Sequence, residues 1–184
     1  EVVESGVNHK TIDLDALHIE RLPNRSTGAE PWPDGVACFS DAMGQDYFIV
    51  AGEFNDTFSI FDLEGSFVTQ VEIEPSDMPG DLPRNLEDWS HSPFRPDSAA
   101  FFQYGEHHYV AFSLKHSGAV GVWNVDDVQD IRITSVVKVG LNDQGTATTE
   151  SSLGTEGISA NRHGLILTAN EGDSTASLVA PLRD

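Results

Sequence analysis

A chain of 184 residues, 39% hydrophobic and 22% charged, is long enough to form one domain with a core of its own. Thirty acids stand against ten Lys plus Arg, a formal net charge of −20. Such a surface repels phosphate backbones, and no stretch approaches the ~18 apolar residues of a membrane span, so neither a nucleic-acid partner nor a membrane span is expected.

Residues 1–31 carry weak signals. Thr11 to Ile19 alternates imperfectly and fits a strand or a short helix; the segment is read as the end of a preceding blade. The chain begins at Glu1 without Met, which points to a processed or partial product. Asn24-Arg-Ser26 and Asn55-Asp-Thr57 are glycosylation sequons in turn-rich surroundings.

From residue 32 onward one pattern returns three times without a gap. Tyr47-Phe-Ile-Val-Ala-Gly-Glu53 is followed by Phe-Asn-Asp-Thr-Phe-Ser-Ile60. Tyr109-Val-Ala-Phe-Ser-Leu-Lys115 is followed by His-Ser-Gly-Ala-Val-Gly-Val122. Leu165-Ile-Leu-Thr-Ala-Asn-Glu171 is followed by Gly-Asp-Ser-Thr-Ala-Ser-Leu178. Each copy is an apolar run, a charged end, a polar turn and a second β-rich run, which together read as a hairpin. A shorter echo precedes each: Pro33-Asp34-Gly35-Val36-Ala37, Pro96-Asp97-Ser98-Ala99-Ala100 and Thr155-Glu156-Gly157-Ile158-Ser159.

Repeats of this kind predict β-propeller blades. The first blade spans 32–73, with strands at Val36–Phe39, Tyr47–Ala51, Phe58–Leu63 and Phe67–Ile73. A loop rich in Pro, Gly and acid follows over 74–94, with a helical turn at Asn85–Trp89. The second blade spans 95–139 and a polar loop occupies 140–153. The third, 154–184, stops after three strands. The predicted fold is therefore all-β: a partial propeller of two complete four-stranded blades and a partial third, occupying 32–184. A ring needs about four blades or more. Its completion is expected from other propeller segments or other protein chains.

The same residues resemble the choice-of-anchor I group, which includes mesenchyme-specific cell-surface glycoproteins of biomineral skeletons. The resemblance rests on Trp32 to Ala37 with Tyr47 to Glu53, on Phe58 to Asp62, on Arg95 to Ala99 through Gly118 to Asn124, and on Gly154 to Ile158 with Leu167 to Glu171. These come in the family's order and match its C-terminal part. Lys115 departs from the acid of the other copies, and Thr155 from the proline. The resemblance implies a secreted or surface-attached propeller, with a matrix or binding role and no established catalysis.

No phosphate loop, dinucleotide fingerprint, nucleophile elbow or zinc spacing is present. Cys38, inside Val36 to Phe39, reads as a buried small hydrophobe. His107 and His108 read as hairpin-loop residues, since neighbours on a strand point to opposite faces. His91 and His116 stand alone in the sequence. The acids of the repeat are the better candidates. Asp34, Asp97 and Glu156 precede the innermost strands, and Glu53 and Glu171 end the strands beside them. Either they cap their blades by accepting backbone N–H bonds or they converge on a ligand. The second reading predicts a divalent cation, calcium, because clustered carboxylates need compensation. Two functions follow: a non-catalytic, acidic extracellular binding protein, or a metal-dependent phosphatase, phytase or esterase-like hydrolase on a propeller scaffold.

Overall fold

The computed structural model describes residues 33–53, 55–79, 94–139, 154–171 and 174–181. Within them the chain is all-β, a partial β-propeller of two complete blades and a partial third, and no sheet closes on itself. Sheet 1 is a meander of β1 (Pro33–Ser40), β2 (Asp46–Gly52), β3 (Thr57–Asp62) and β4 (Phe67–Glu72). Sheet 2 repeats it with β5 (Pro96–Tyr104), β6 (His107–Leu114), β7 (Ala119–Asn124) and β8 (Arg132–Lys138). Sheet 3 has β9 (Thr155–Ala160), β10 (Ile166–Asn170) and β11 (Thr175–Val179). Every pairing is antiparallel. The predicted turn at Asn85–Trp89 and the loop at 140–153 lie outside the described residues, as does residue 24.

The sheets stack face to face, with β1 against β5 and β5 against β9. Apolar residues on both faces of the middle strands make this possible. Thr57 to Phe61 and Ala119 to Trp123 are buried at every position, and β7, in the sheet between the other two, is covered by a sheet on each face. The main core lies between sheets 1 and 2. There Phe58 stacks on Phe112 with ring centroids 4.7 Å apart, and Trp123 meets both edge-on at 5.5 Å. Burying one such ring contributes about 2–3 kcal/mol. A smaller core joins sheets 2 and 3 through Phe102, Ala111, Val120, Val122 and Ile166. β10 instead alternates buried and exposed residues, because only one of its faces is covered by a described sheet. A cleft of about 730 Å³, lined by Phe102, Tyr109, Val137, Ile166 and Val179 among others, opens between sheets 2 and 3.

Turn chemistry keeps the repeat in step. The connection from the second strand to the third carries a left-handed residue at the same place each time: Asp56 at φ 50°, Gly118 at 55° and Ser174 at 57°. Asp41 and Asn161 play matching parts at the opposite end. Asp41 Oδ1 accepts from the backbone N–H of Met43 and of Gln45, both at 2.9 Å. Asn161 Oδ1 accepts from those of His163 at 2.8 Å and Leu165 at 3.2 Å. These are Asx turns.

Two expectations are corrected. Cys38 is exposed: it alternates with buried Phe39 and so lies on the other face of β1. His107 and His108 are the first two residues of β6, not loop residues.

Candidate functional site

The acid–small pairs of the three echoes sit on β-bulges. Pro33 pairs with Gly52 but Val36 with Val50; Pro96 with Leu114 but Ala99 with Phe112; Thr155 with Asn170 but Ile158 with Thr168. Each innermost strand thus gains one residue at Asp34–Gly35, Asp97–Ser98 or Glu156–Gly157. A bulge re-aims a side chain without disturbing the alternation beyond it. The small residue has its own reason. A Cβ on Gly35 would lie 2.5 Å from Ser98 Cα and 2.9 Å from Ala99 N, and closer still to the Asp97 carbonyl oxygen. The backbones of β1 and β5 touch there.

The bulges bring the repeat acids together. Carboxylate oxygens of Asp34, Glu53 and Asp97 all lie within 4.8 Å of one another. Glu53 is buried and pairs with the Arg95 guanidinium. Lys115 bridges the next two acids, 3.5 Å from Asp97 Oδ2 and paired directly with Glu156. Glu171 ends β10 close enough to Glu156 to bear on its charge. Asp34, Glu53, Asp97 and Glu156 therefore belong to one chain of contacts, with two fixed cations threaded between them.

The electrostatics follow. Burial, with the neighbouring Asp34 charge, pushes the Asp97 carboxyl up to about 6, although Lys115 and the Ser98 hydroxyl pull the other way. Burial disfavours the Lys115 charge, but its hydrogen bond to Glu156 and the Asp97 charge win and raise its pKa. The Lys115 hydrogen bond, outweighing burial, lowers Glu156. Lys115, the odd residue of its repeat position, is thus the counter-charge of two neighbouring bulges.

Three contributors carried no sequence signal. Buried Asp56 accepts from the backbone N–H of Arg95 at 2.7 Å and of Phe94 at 3.2 Å, tying the first blade's turn to the second blade's entry. This is the capping role considered for Asp34, Asp97 and Glu156, carried by a different acid. Arg95, at φ 55°, holds Glu53 and places Nη1 3.2 Å from His116 Nε2. His116 is buried beside Lys115. Asn55, in the same turn, is half-buried, and its Oδ1 accepts from Thr57 Oγ1 at 2.7 Å.

A second cluster lies at the opposite end of sheet 2. Asp126 meets His107 Nδ1 at 2.6 Å through Oδ2 and His108 Nδ1 at 3.0 Å through Oδ1, and also accepts from the His108 backbone N–H at 2.7 Å. Opposing burial, hydrogen bonds from Asn124, His107 and His108 hold its carboxyl well below the usual range. One carboxylate thus joins the two adjacent histidines. It pins the β7–β8 turn to the start of β6.

No family model and no curated protein matches the chain. Among solved structures it is similar to virginiamycin B lyase from Staphylococcus aureus, in its selenomethionine form, at 11% identity and a TM-score of 0.43, over 86% of this chain and 43% of that one. A catalytically inactive variant of the same enzyme, solved with quinupristin, gives 12% identity and a TM-score of 0.44 over 89% of this chain and 44% of that one. The chain spans less than half the length of these structures.

Proposed function

We propose that this chain is part of a secreted or cell-surface β-propeller that binds its ligand without transforming it, and that the bulge-borne acids hold a divalent cation, calcium. The observation that carries the reading is the convergence of Asp34, Glu53 and Asp97 within 4.8 Å. Calcium takes oxygen ligands at about 2.3–2.6 Å, so two oxygens on one ion stand up to about 5 Å apart. The spacing fits. Arg95 and Lys115 offset two of the five carboxyl charges and leave an acidic surplus. Burial first, and then the Asp34 charge, raise the Asp97 pKa. The acidic composition and the resemblance to surface glycoproteins support an extracellular setting with a matrix or mineral-associated role. Asn24 and Asn55 are the proposed glycan acceptors, and further blades from another chain or segment are the proposed partners. Calorimetric calcium titration tests the site. Wild type binds, and Asp34→Asn with Asp97→Asn binds at least tenfold more weakly. No binding, or equal binding in both proteins, rejects it.

A second reading is a hydrolase. Asp97 keeps its proton up to about 6 and lies within 4.8 Å of Asp34 and Glu53, and a protonated carboxyl beside other carboxyls can serve as a general acid. Phosphatase and esterase assays with calcium present, on wild type and Asp97→Asn, decide it. Turnover that the substitution abolishes favours the enzyme.

A further inference from the structure

The cleft between sheets 2 and 3 lies where sheet 2, at the equivalent place, carries a strand. The repeat sets Gly121 and Trp123 of β7 level with Ser177 and Val179 of β11. In sheet 2, β8 lies outside β7, with Val136 opposite Gly121 and Ile133 opposite Trp123. Both side chains pack against the core shared with sheet 1. In sheet 3, β11 is the last strand among the described residues, and no described strand carries the counterparts of Val136 and Ile133. The cleft of about 730 Å³ lies at that place, with Ser177 and Val179 on one wall and Ser135 and Val137 of β8 on the other.

Two features say what fits there. The first is backbone. In an antiparallel pair, alternate residues turn their N–H and C=O away from the partner strand. β11 pairs with β10 on one side, so its other side offers a row of donors and acceptors beside an apolar trough. An added strand uses both, the main chain for affinity and alternate side chains for specificity, whereas a small apolar molecule leaves the row unused. The second feature is charge. No residue lining the trough is acidic, on a chain with thirty acids, and Lys138 is among them.

We propose that β11 takes an extended, basic peptide segment of another protein as a fourth strand of sheet 3, antiparallel to β11, with uncharged β-branched side chains opposite Ser177 and Val179. Such a pair is what β8 supplies at the equivalent places. The inward residues are uncharged because Lys138 lines the trough and a buried charge without a partner is costly. The outward residues are basic because a net charge of −20 repels an acidic segment and draws in a cationic one. The calcium reading is not needed here: a titration that rejects the cation site leaves the strand site standing.

The probe is the β8 sequence itself, a capped peptide of residues 131–139, with Arg132, Lys138 and no acid. It is added to the whole chain, and amide hydrogen exchange is read residue by residue. In the chain alone alternate amides of β11 exchange fast; the peptide slows them at least ~10-fold and leaves β8 protected. A peptide with Ile133→Asp and Val136→Asp, and one N-methylated along its pairing edge, bind at least ~30-fold more weakly, through lost apolar burial and lost ladder bonds respectively. A peptide with Arg132→Glu and Lys138→Glu binds at least ~10-fold more weakly. Four results overturn the proposal. One is a β11 whose amides are all slow in the chain alone, since a segment of this chain then already pairs there. Another is a peptide that leaves β11 unchanged, or that deprotects β8 by replacing it in sheet 2. The third is undiminished binding of the N-methylated peptide, which means that side chains fill the trough without strand pairing. The last is equal binding of the acidic peptide.

Discussion

Asp56 holds the first two blades in register, and its removal should be costly. Its buried carboxylate accepts the Arg95 N–H at 2.7 Å and the Phe94 N–H at 3.2 Å. A hydrogen bond to a charged group contributes about 1.5–3 kcal/mol, and a buried donor that loses its acceptor adds desolvation cost. Asp56 also sits at φ 50°, where an alanine is disfavoured by about 1–2 kcal/mol relative to the right-handed region. Asp56→Ala should therefore destabilise by about 3–5 kcal/mol. Asp56→Asn keeps one acceptor oxygen and tolerates the left-handed backbone, so it should cost about 1–2 kcal/mol. Asp56→Gly relieves the backbone but not the lost acceptor, and should fall between them. Urea unfolding of the three variants beside wild type gives the series. Alanine within about 1 kcal/mol of wild type, or asparagine as damaging as alanine, would refute the reasoning.

Two further predictions follow from the site. Asp97 holds its proton up to about 6 in the folded chain, against 3.8 for an unperturbed aspartate carboxyl. The folded state then binds the extra proton between these values, so this group's contribution to stability falls as pH rises from about 4 to 6 and is constant above. At ~1.4 kcal/mol per pH unit the full effect is about 3 kcal/mol, and screening at this partly open cluster reduces it to about 1–2. Asp97→Asn should thus gain on wild type by that amount between about pH 4.5 and 7.5, measured in calcium-free buffer; a stability difference that does not change with pH would contradict this. Gly35→Ala drives a methyl into the β5 backbone and should cost about 3 kcal/mol or more, read as a lowered urea midpoint. An unchanged midpoint would mean that β1 and β5 are not in contact.

The strands were legible because apolar runs and turn residues recur at fixed offsets, and a triple repeat averages out the ambiguity of any one copy. The repeat acids were legible for the same reason: Asp34, Asp97 and Glu156 hold one position in three copies. The bulges beneath them were not, since an extra residue in one strand shows only against its partner's register. Arg95 and Asp56 were missed because each acts once, across a blade boundary, and His116 because its partner Arg95 lies 21 residues away in the chain. Cys38 was misjudged because a short apolar run looks alike whether one face or both are covered.

The bulges separate what the entry of each innermost strand displays from how the strand packs. The inserted residue takes no place in the in–out alternation, so its side chain can change sign or length while the apolar sequence beyond it stays in phase. The charged strand ends have a similar freedom: Lys115 occupies the place of Glu53 and Glu171, and β6 still pairs with β7 from Tyr109↔Asn124 to Leu114↔Ala119 without a slip. The rim can therefore be rewritten residue by residue, for a cation, an anion or a neutral ligand, on blades whose interiors remain the same.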